Sequence, residues 1–437
     1  MRSDETGTAP VAIVGGGFSG TMTALQLARR GIGAVLIDGS GRTGRGVAYS
    51  TSDPAHVLNV PAAKMSAWPD QVDHFAEWGG YGAGEFAERR AFGRYLVEQL
   101  SESPVEVVEA NAVAAGRSGR DWRVTLADGQ IIEVAALVLA HGNQPPAPLA
   151  AAEGLPADLY VANPWTDEAR AAVDRAADRD SDVLIIGTGL TMVDTVLSLV
   201  EAGHRGSITA LSRRGLVPRA HADPPPPPAP VQLSDVPLGS VRTLARWLRT
   251  RSAEVGFRAA VDSLRPHSHA IWQSFDEAQE QRFIRHARPW WDIHRHRIAP
   301  AVAERLKGLI AEGKLRIMAG RLLGLHERNG EVVARIHRRG DGEVERNFCL
   351  AINCTGPLGE VAETRDALLR GLLDEGAVRP DRFGIGLDVD GHDRAGERLW
   401  ALGPLTKGRY WEMTAVPDIR GQAAAVAEDI AAELARA

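Results

Sequence analysis

The stretch that most constrains this chain is Val11–Asp38, which reads VAIVGGGFSGTMTALQLARRGIGAVLID. Val11–Val14 is an apolar run of the right length for a buried parallel strand. The turn Gly15-x-Gly17-x-x-Gly20 follows directly. An amphipathic helix comes next, with Ala24, Leu25, Leu27 and Ala28 on its apolar face. A second apolar strand, Ala34–Ile37, ends in Asp38. Gly15 makes the tight turn, Gly17 lets the backbone approach a pyrophosphate, and Gly20 lets helix and strand pack closely. The helix N-terminus offers free N–H groups and a positive dipole end to phosphates. Asp38 stands where an acid bonds the ribose hydroxyls of an adenosine. The glycine spacing alone is weak evidence; held between two strands and followed by an acid, it points to a dinucleotide site. Gly15, Gly17, Phe18, Ser19, Gly20 and Asp38 are its expected contacts.

A second copy occupies Val183–Arg214. Val183–Ile186 is again strand-like, and Gly187-Thr188-Gly189-Leu190-Thr191 makes the turn. Met192 replaces the third glycine, so helix and strand are expected to stand further apart here. The second strand, Ile208–Leu211, ends in Ser212-Arg213-Arg214 instead of an acid. A carboxylate there would repel a 2′-phosphate, whereas a hydroxyl and two guanidiniums would bind it. The first copy therefore suits FAD and the second NADPH. The other reading of Arg213 and Arg214 is a solvated basic turn.

With 437 residues the chain is too long for one ordinary core and right for two domains. A formal net charge of −6 leaves no electrostatic footprint for nucleic acid or an anionic membrane. The only cysteines, Cys349 and Cys354, make neither a disulfide framework nor a CxxC redox pair. Chemistry that needs a dithiol beside a flavin is disfavoured, and both thiols read as buried and structural. The polar start, MRSDETGTAP, lacks a signal-peptide layout, and no apolar run approaches the ~20 residues of a membrane span. The expected setting is soluble and cytoplasmic.

After Asp38, Gly39 and Ser40 comes GRTGRGVAYSTSDPAHVLNVPAAKMSAWPD, a long loop with its own apolar residues. Long loops of this kind are usually functional or disordered. Arg45 could meet a phosphate, Leu58 and Met65 could line the cofactor, and Asn59 and Lys64 could reach a flavin ring as catalytic candidates. Asn59 reads equally well as a turn cap. Val72–Trp78 and Arg89–Leu100 read as helices. Trp122–Leu126 and Ile131–Val134 alternate around Asp128-Gly129, and Ala136–Ala140 is an apolar strand ending in His141-Gly142. The same order recurs late: Glu331–Ile336 alternates, Gly340–Gly342 turns, and Val344–Asn353 is strand-like up to Cys354-Thr355-Gly356. This repeat implies one nucleotide-binding domain inserted into another.

Between the copies, Pro164–Asp182 reads as a helix or linker. Five consecutive prolines, Pro224–Pro228, demand extended chain and lead into a helical segment from about Val241 to Ile310. His267, His269, His286, His294 and His296 do not read as a metal site, because interleaved arginines repel a cation and no acid or thiol completes a ligand set. A basic, aromatic lobe over the active site would contact NADPH or a substrate carboxylate through Arg285, Arg288 or Arg297. The alternative is a solvated helix face with Trp290 and Trp291 packed inward. Near the C-terminus, Leu399–Leu402 is a last buried strand, Gly403-Pro404 its turn, and Pro417 a helix start. That helix N-terminus, with Gly403 and Thr414 beside it, would face the flavin pyrimidine and favour negative charge on the reduced ring.

The stretches Gly15–Gly20, GRGVAYST…LNVPA at Gly44–Ala62, GTGLTMVD at Gly187–Asp194, SRRG at Ser212–Gly215, RPWWDIHRHR at Arg288–Arg297 and ALGPLTKGRYWEMTAVPDIR at Ala401–Arg420 carry a resemblance over nearly the whole chain. The chain resembles the FAD/NAD(P)-binding flavoprotein family with two dinucleotide-binding domains. It is similar in layout to the lysine and ornithine N-monooxygenases. The resemblance implies FAD in the first site and NAD(P)H in the second, and implies no substrate. One departure is Ala140-His141-Gly142, where the family often has Ala-Thr-Gly.

The expected fold class is α/β: two nested Rossmann-like dinucleotide-binding domains with a helical insertion. The expected boundaries are 1–160 for the first part of the FAD domain, 161–347 for the NAD(P)H domain with its insertion at about 223–310, and 348–437 for the second part of the FAD domain. The expected activity is NADPH-dependent oxygenation of a nucleophilic nitrogen, on an amine or amino acid, by a flavin hydroperoxide formed from molecular oxygen. The alternative is a flavin-dependent reductase or dehydrogenase of an imine or other acceptor. No metal, nucleic acid or membrane partner is expected.

Overall fold

A computed structural model describes residues 9–436, so the first eight residues of the polar N-terminal stretch lie outside the described residues. The chain divides into two units. One comprises the chain up to Ser52, Pro61–Gln144, and everything from Leu358 onward; the other comprises Asp53–Val60 and Pro145–Pro357.

The first unit is built on a six-stranded sheet in the order Arg394–Gly396, Leu399–Ala401, Ala136–Leu139, Val11–Val14, Ala34–Ile37, Glu106–Val108. Val11 pairs in parallel with Ala34 on one side and Ala136 on the other, and all three strands are wholly buried. Strands covered on both faces read as unbroken apolar runs, which is why these were legible. The helix Phe18–Ala28 crosses between the first two strands and packs on the C-terminal helix Val416–Leu434. A separate antiparallel sheet, Ala112–Ser118, Asp121–Leu126 and Ile131–Val134, covers the unit. Trp122, Val124 and Leu126 point from it into the same core as Val35 and Leu139.

The second unit repeats this plan. Its parallel core runs Leu315–Arg328, Ile208–Ser212, Val183–Ile186, Leu350–Asn353, Tyr160–Val161, and two antiparallel strands, Glu331–Arg338 and Gly342–Phe348, extend it. Leu315–Arg328 does two jobs in one strand: its start pairs in parallel with Ile208–Ser212, and its end opens the antiparallel hairpins.

The boundaries differ from those read off the sequence. They fall at 144/145 and 357/358 rather than 160/161 and 347/348, because Tyr160–Val161 and Leu350–Asn353 pair with each other in the second sheet. The strand expected over Val344–Asn353 is two strands that part at Cys349. The helical insertion ends before Ile310: the helix Pro300–Ala311 buries Leu306 and Leu309 in the core with Val183 and Ile208, so it belongs to the repeated plan. Trp290 is not packed inward; it is 52% exposed.

The loop after Asp38 contributes to both units. His56 is buried, with Nε2 2.9 Å from Ser198 Oγ, and that hydroxyl donates to Asp53 at 2.8 Å. These bonds tie Asp53–Val60 to the helix Leu190–Glu201 of the second unit.

Candidate functional site

At the first glycine turn the three glycines have different reasons to be there. Gly15 has φ +107°, and a Cβ on it would run into the Ala140 carbonyl. A Cβ on Gly20 would overlap the Gly15 carbonyl. Both are demands of the fold. Gly17 has φ −75°, ordinary for any residue, and a Cβ there would sit at an unstrained 3.7 Å from Gly46 Cα. The fold therefore leaves room at Gly17 that a side chain could fill. Beyond it the helix Phe18–Ala28 starts with no side-chain cap and no acid in its first turn. Its first N–H groups and dipole face that room, which is the arrangement an anionic pyrophosphate requires.

Asp38 lies just past its strand. Its Oδ1 accepts from Ser40 N at 3.0 Å, and its Oδ2 from Thr43 Oγ1 at 3.4 Å. Gly44 N donates to Gly16 O at 2.8 Å, which lays the following segment along the turn. Arg45 opens the short helix Gly46–Tyr49 and donates from Nη2 to Gly41 O at 3.3 Å. Its Nε is buried without an acceptor. An open cavity of about 570 Å³ adjoins these groups, lined by Gly41, Thr43, Arg45, Arg94 and Val97 among others. A glycine cradle, an uncapped helix end, an acid and an orphaned guanidinium nitrogen together fit the phosphate and adenosine parts of FAD.

Gly403 joins this group. A Cβ on it would lie 2.5 Å from Ser19 Oγ, and its N–H donates to Gln422 Oε1 at 2.8 Å. Thr414 N bonds Glu412 O just ahead of the helix Val416–Leu434, whose first turn already carries Asp418. The dipole at that end is thus shared with a resident acid, a feature the dipole expectation did not include. Met65 is buried and Lys64 exposed in the first unit, whereas Leu58 is buried and Asn59 half-buried in the second. The Asn59 carbonyl accepts from His221 Nε2 at 2.9 Å.

The second turn copies the first. Gly187 has φ +120°, and its Cβ would meet the Cys354 carbonyl as that of Gly15 meets Ala140. Gly189 has φ −84° and nothing within 4 Å of where a Cβ would stand. The helix opening with Leu190 and Thr191 again lacks a side-chain cap and a first-turn acid. Met192 is fully buried in the core with Val183 and Ile185, so its side chain fills the space between helix and sheet. Thr188 Oγ1 lies 2.9 Å from Ser212 Oγ and donates to Leu216 O at 2.5 Å, while Gly215 N donates to Ser212 Oγ at 3.0 Å. Arg213 is exposed and Arg214 half-buried, and neither has an ion pair among the described residues.

In the helical lobe, Arg288 lies 3.4 Å from Asp292, and Arg297 is buried in a bidentate pair with Asp262. Arg285 lies exposed in a π-helical turn, Phe283–Ala287. His141 has an acidic neighbour that the sequence did not reveal: its Nε2 is 3.4 Å from Asp366 Oδ1. Burial pushes the Asp366 carboxyl up, but His141 and the backbone N–H of Leu369 hold it below its ordinary value. Both cysteines are buried and free. Burial raises the Cys349 thiol and pushes that of Cys354 up to about 12. Among the described residues no cluster of His, Cys, Asp and Glu could hold a metal ion, and no helix is long and apolar enough to cross a membrane.

Residues 12–144 match the family model described as FAD-NAD(P)-binding. Comparison with curated protein sequences yields no match. Among solved structures, the chain is similar to L-lysine 6-monooxygenase from Pseudomonas syringae, with TM-score 0.68, 15% identity, and 98% of this chain and 100% of that one covered. It is similar to the ornithine hydroxylase from Pseudomonas aeruginosa at TM-score 0.63 and 14% identity, covering 98% and 100%. It is also similar to the bacillithiol disulfide reductase from Staphylococcus aureus at TM-score 0.61 and 13% identity, covering 98% and 99%. At such identities the likeness is one of fold. The chain carries an FAD-NAD(P)-binding domain and has the α/β fold of FAD/NAD(P)-binding oxidoreductases.

Proposed function

We propose that this chain is an NADPH-dependent FAD oxidoreductase that oxygenates a nucleophilic nitrogen on a small molecule, an amine or amino acid, with molecular oxygen. The observation that carries the reading is the pair Gly17 and Gly189. At both turns the second glycine is the one position that neither backbone angle nor neighbouring atoms require, so room is kept for a ligand in each unit. FAD, when bound, supplies two-electron transfer between NADPH and oxygen.

The chain's own residues do the binding. The N–H groups after Gly17 and the Arg45 guanidinium hold a pyrophosphate, and Asp38 accepts from ribose hydroxyls. The N–H groups after Gly189 hold the second pyrophosphate, and Arg213 and Arg214 receive a 2′-phosphate. Oxygen is favoured over a disulfide as electron acceptor because both thiols are buried with raised pKa, and thiol exchange needs an accessible thiolate. An NADPH-fed enzyme of this kind belongs in the cytoplasm.

The test is turnover of an amine and amino-acid panel under isotopically heavy dioxygen, read by mass spectrometry. Label in an N-hydroxylated product supports the proposal. Anaerobic reduction of an imine at the aerobic rate, with no label incorporated, would replace it with the reductase reading.

A further inference from the structure

One region of the second unit concentrates positive charge on residues outside its glycine turn. Ala220 bridges Ile298 in parallel; Arg219 N donates to Ile293 O at 2.9 Å and Arg219 O accepts from Ile298 N at 3.0 Å. These bonds hold Arg219 against the end of the helix Arg288–Arg295, which carries His294. The helix Phe257–Leu264 closes the group from another side. Its Phe257 ring meets His294 edge-on at 4.5 Å, and its Asp262 takes both Nη atoms of Arg297 at 2.9 Å. Arg258 is on the same helix, one turn before Asp262.

Three guanidiniums and an imidazole thus lie near one another, and the carboxylate that faces them, Asp262, is already taken by Arg297. Arg258 Nη1 is buried without an acceptor, and the Arg219 side chain has no ion pair among the described residues. Burial, with Arg219, Arg297 and Arg258 nearby, lowers the His294 pKa. Burial, with Arg297 and Arg219, lowers that of Arg258 against the opposing pull of Asp262. Uncompensated cations in a partly desolvated place are costly unless an anion joins them.

We infer that Arg219, Arg258 and Arg297, with His294 beside them, form a receptor for an oxyanion of a small molecule, distinct from Arg213 and Arg214, and that its occupant is the substrate's carboxylate. The identity of the occupant rests on the substrate reading proposed above; the anion site rests on these residues alone. Guanidiniums bind carboxylate and phosphate oxygens through the same parallel N–H donors, so a dinucleotide phosphate is the competing source.

The experiment is calorimetric titration of the full-length protein with succinate, inorganic phosphate and NADP⁺, on the wild type, Arg219→Gln and Arg258→Gln. Arg219 is exposed, so its variant tests the site without putting the fold at risk. Removing one charge-assisted donor should weaken succinate about 10- to 100-fold in each variant and leave NADP⁺ affinity unchanged. Wild-type protein that binds neither succinate nor phosphate, or variants that bind them as tightly as wild type, would overturn the site. Variants that lose NADP⁺ affinity instead would overturn the carboxylate assignment and give the oxyanion to the dinucleotide. Because the titration reads neither flavin nor oxygen chemistry, failure of the monooxygenase reading leaves it decisive.

Discussion

Replacing Gly17 with alanine separates what the fold needs from what a ligand needs. The residue sits at φ −75°, ψ −170°, and the added methyl would lie 3.7 Å from Gly46 Cα, an ordinary contact. Two small effects on stability oppose each other. Alanine restricts the unfolded chain, which stabilises by about 0.4–1 kcal/mol. It is also a poorer N-cap than glycine, which costs a similar amount, about 0.5–1 kcal/mol. The net change should stay within about 1 kcal/mol, or a few degrees in Tm for a unit of this size. The methyl would nonetheless occupy the room kept for the pyrophosphate. Losing one charge-assisted hydrogen bond there, at about 1.5–3 kcal/mol, weakens flavin by about 10- to 100-fold. The assay is flavin content of the purified protein with thermal unfolding of the apoprotein alongside. Gly17→Ala should unfold like wild-type apoprotein yet retain little flavin, and Gly17→Val should be colourless. Gly15→Ala is the contrasting control: at φ +107° and against the Ala140 carbonyl it should fail to fold. Full flavin occupancy in Gly17→Val would refute the reasoning.

Other outcomes follow from the same geometry. The double variant Arg213→Ala, Arg214→Ala should raise KM for NADPH much more than for NADH; an equal effect on both would refute the 2′-phosphate assignment. Asp393 is buried beside Gln422, whose Nε2 donates to it at 2.8 Å, and burial pushes its carboxyl from 3.8 up to about 6. The folded state thus holds the proton more tightly than the unfolded chain, so stability falls as pH rises from about 4 to about 6 and then levels off. Asp393→Asn should remove that loss, with up to about 3 kcal/mol of gain at neutral pH and none at about pH 4; a variant less stable than wild type at neutral pH would contradict this. Cys349 and Cys354 should not react with a disulfide reagent until the protein unfolds. Rapid release from the native protein would reopen thiol chemistry.

The glycine turns and the strands around them were legible because their causes are local. A buried parallel strand must be apolar on both faces, and Gly15 and Gly187 must adopt positive φ against a carbonyl. The strands Ala112–Ser118 and Leu315–Arg328 were missed. Leu315–Arg328 has a bulge between Leu322 and Gly324 and serves two pairings, so its alternation is broken where a pattern would be sought. The domain boundaries were displaced because Tyr160–Val161 finds its partner near residue 350, a long-range pairing no local window contains. The same holds for His141 with Asp366, and for Arg219, Arg258, His294 and Arg297, which only tertiary packing brings together. Arg297 was picked out in sequence as a free contact; Asp262, which pairs with it, was not visible there.

The most direct test of the two-site account is anaerobic titration of the purified yellow protein with NADPH, following the visible absorbance of the oxidised flavin, in wild type and in Gly189→Val. The account predicts that one equivalent of NADPH bleaches the wild-type flavin. It predicts that Gly189→Val retains its flavin but needs much more NADPH to reach the same end point. Flavin lost together with the Gly189 change, or wild-type flavin that NADPH does not reduce, would contradict it.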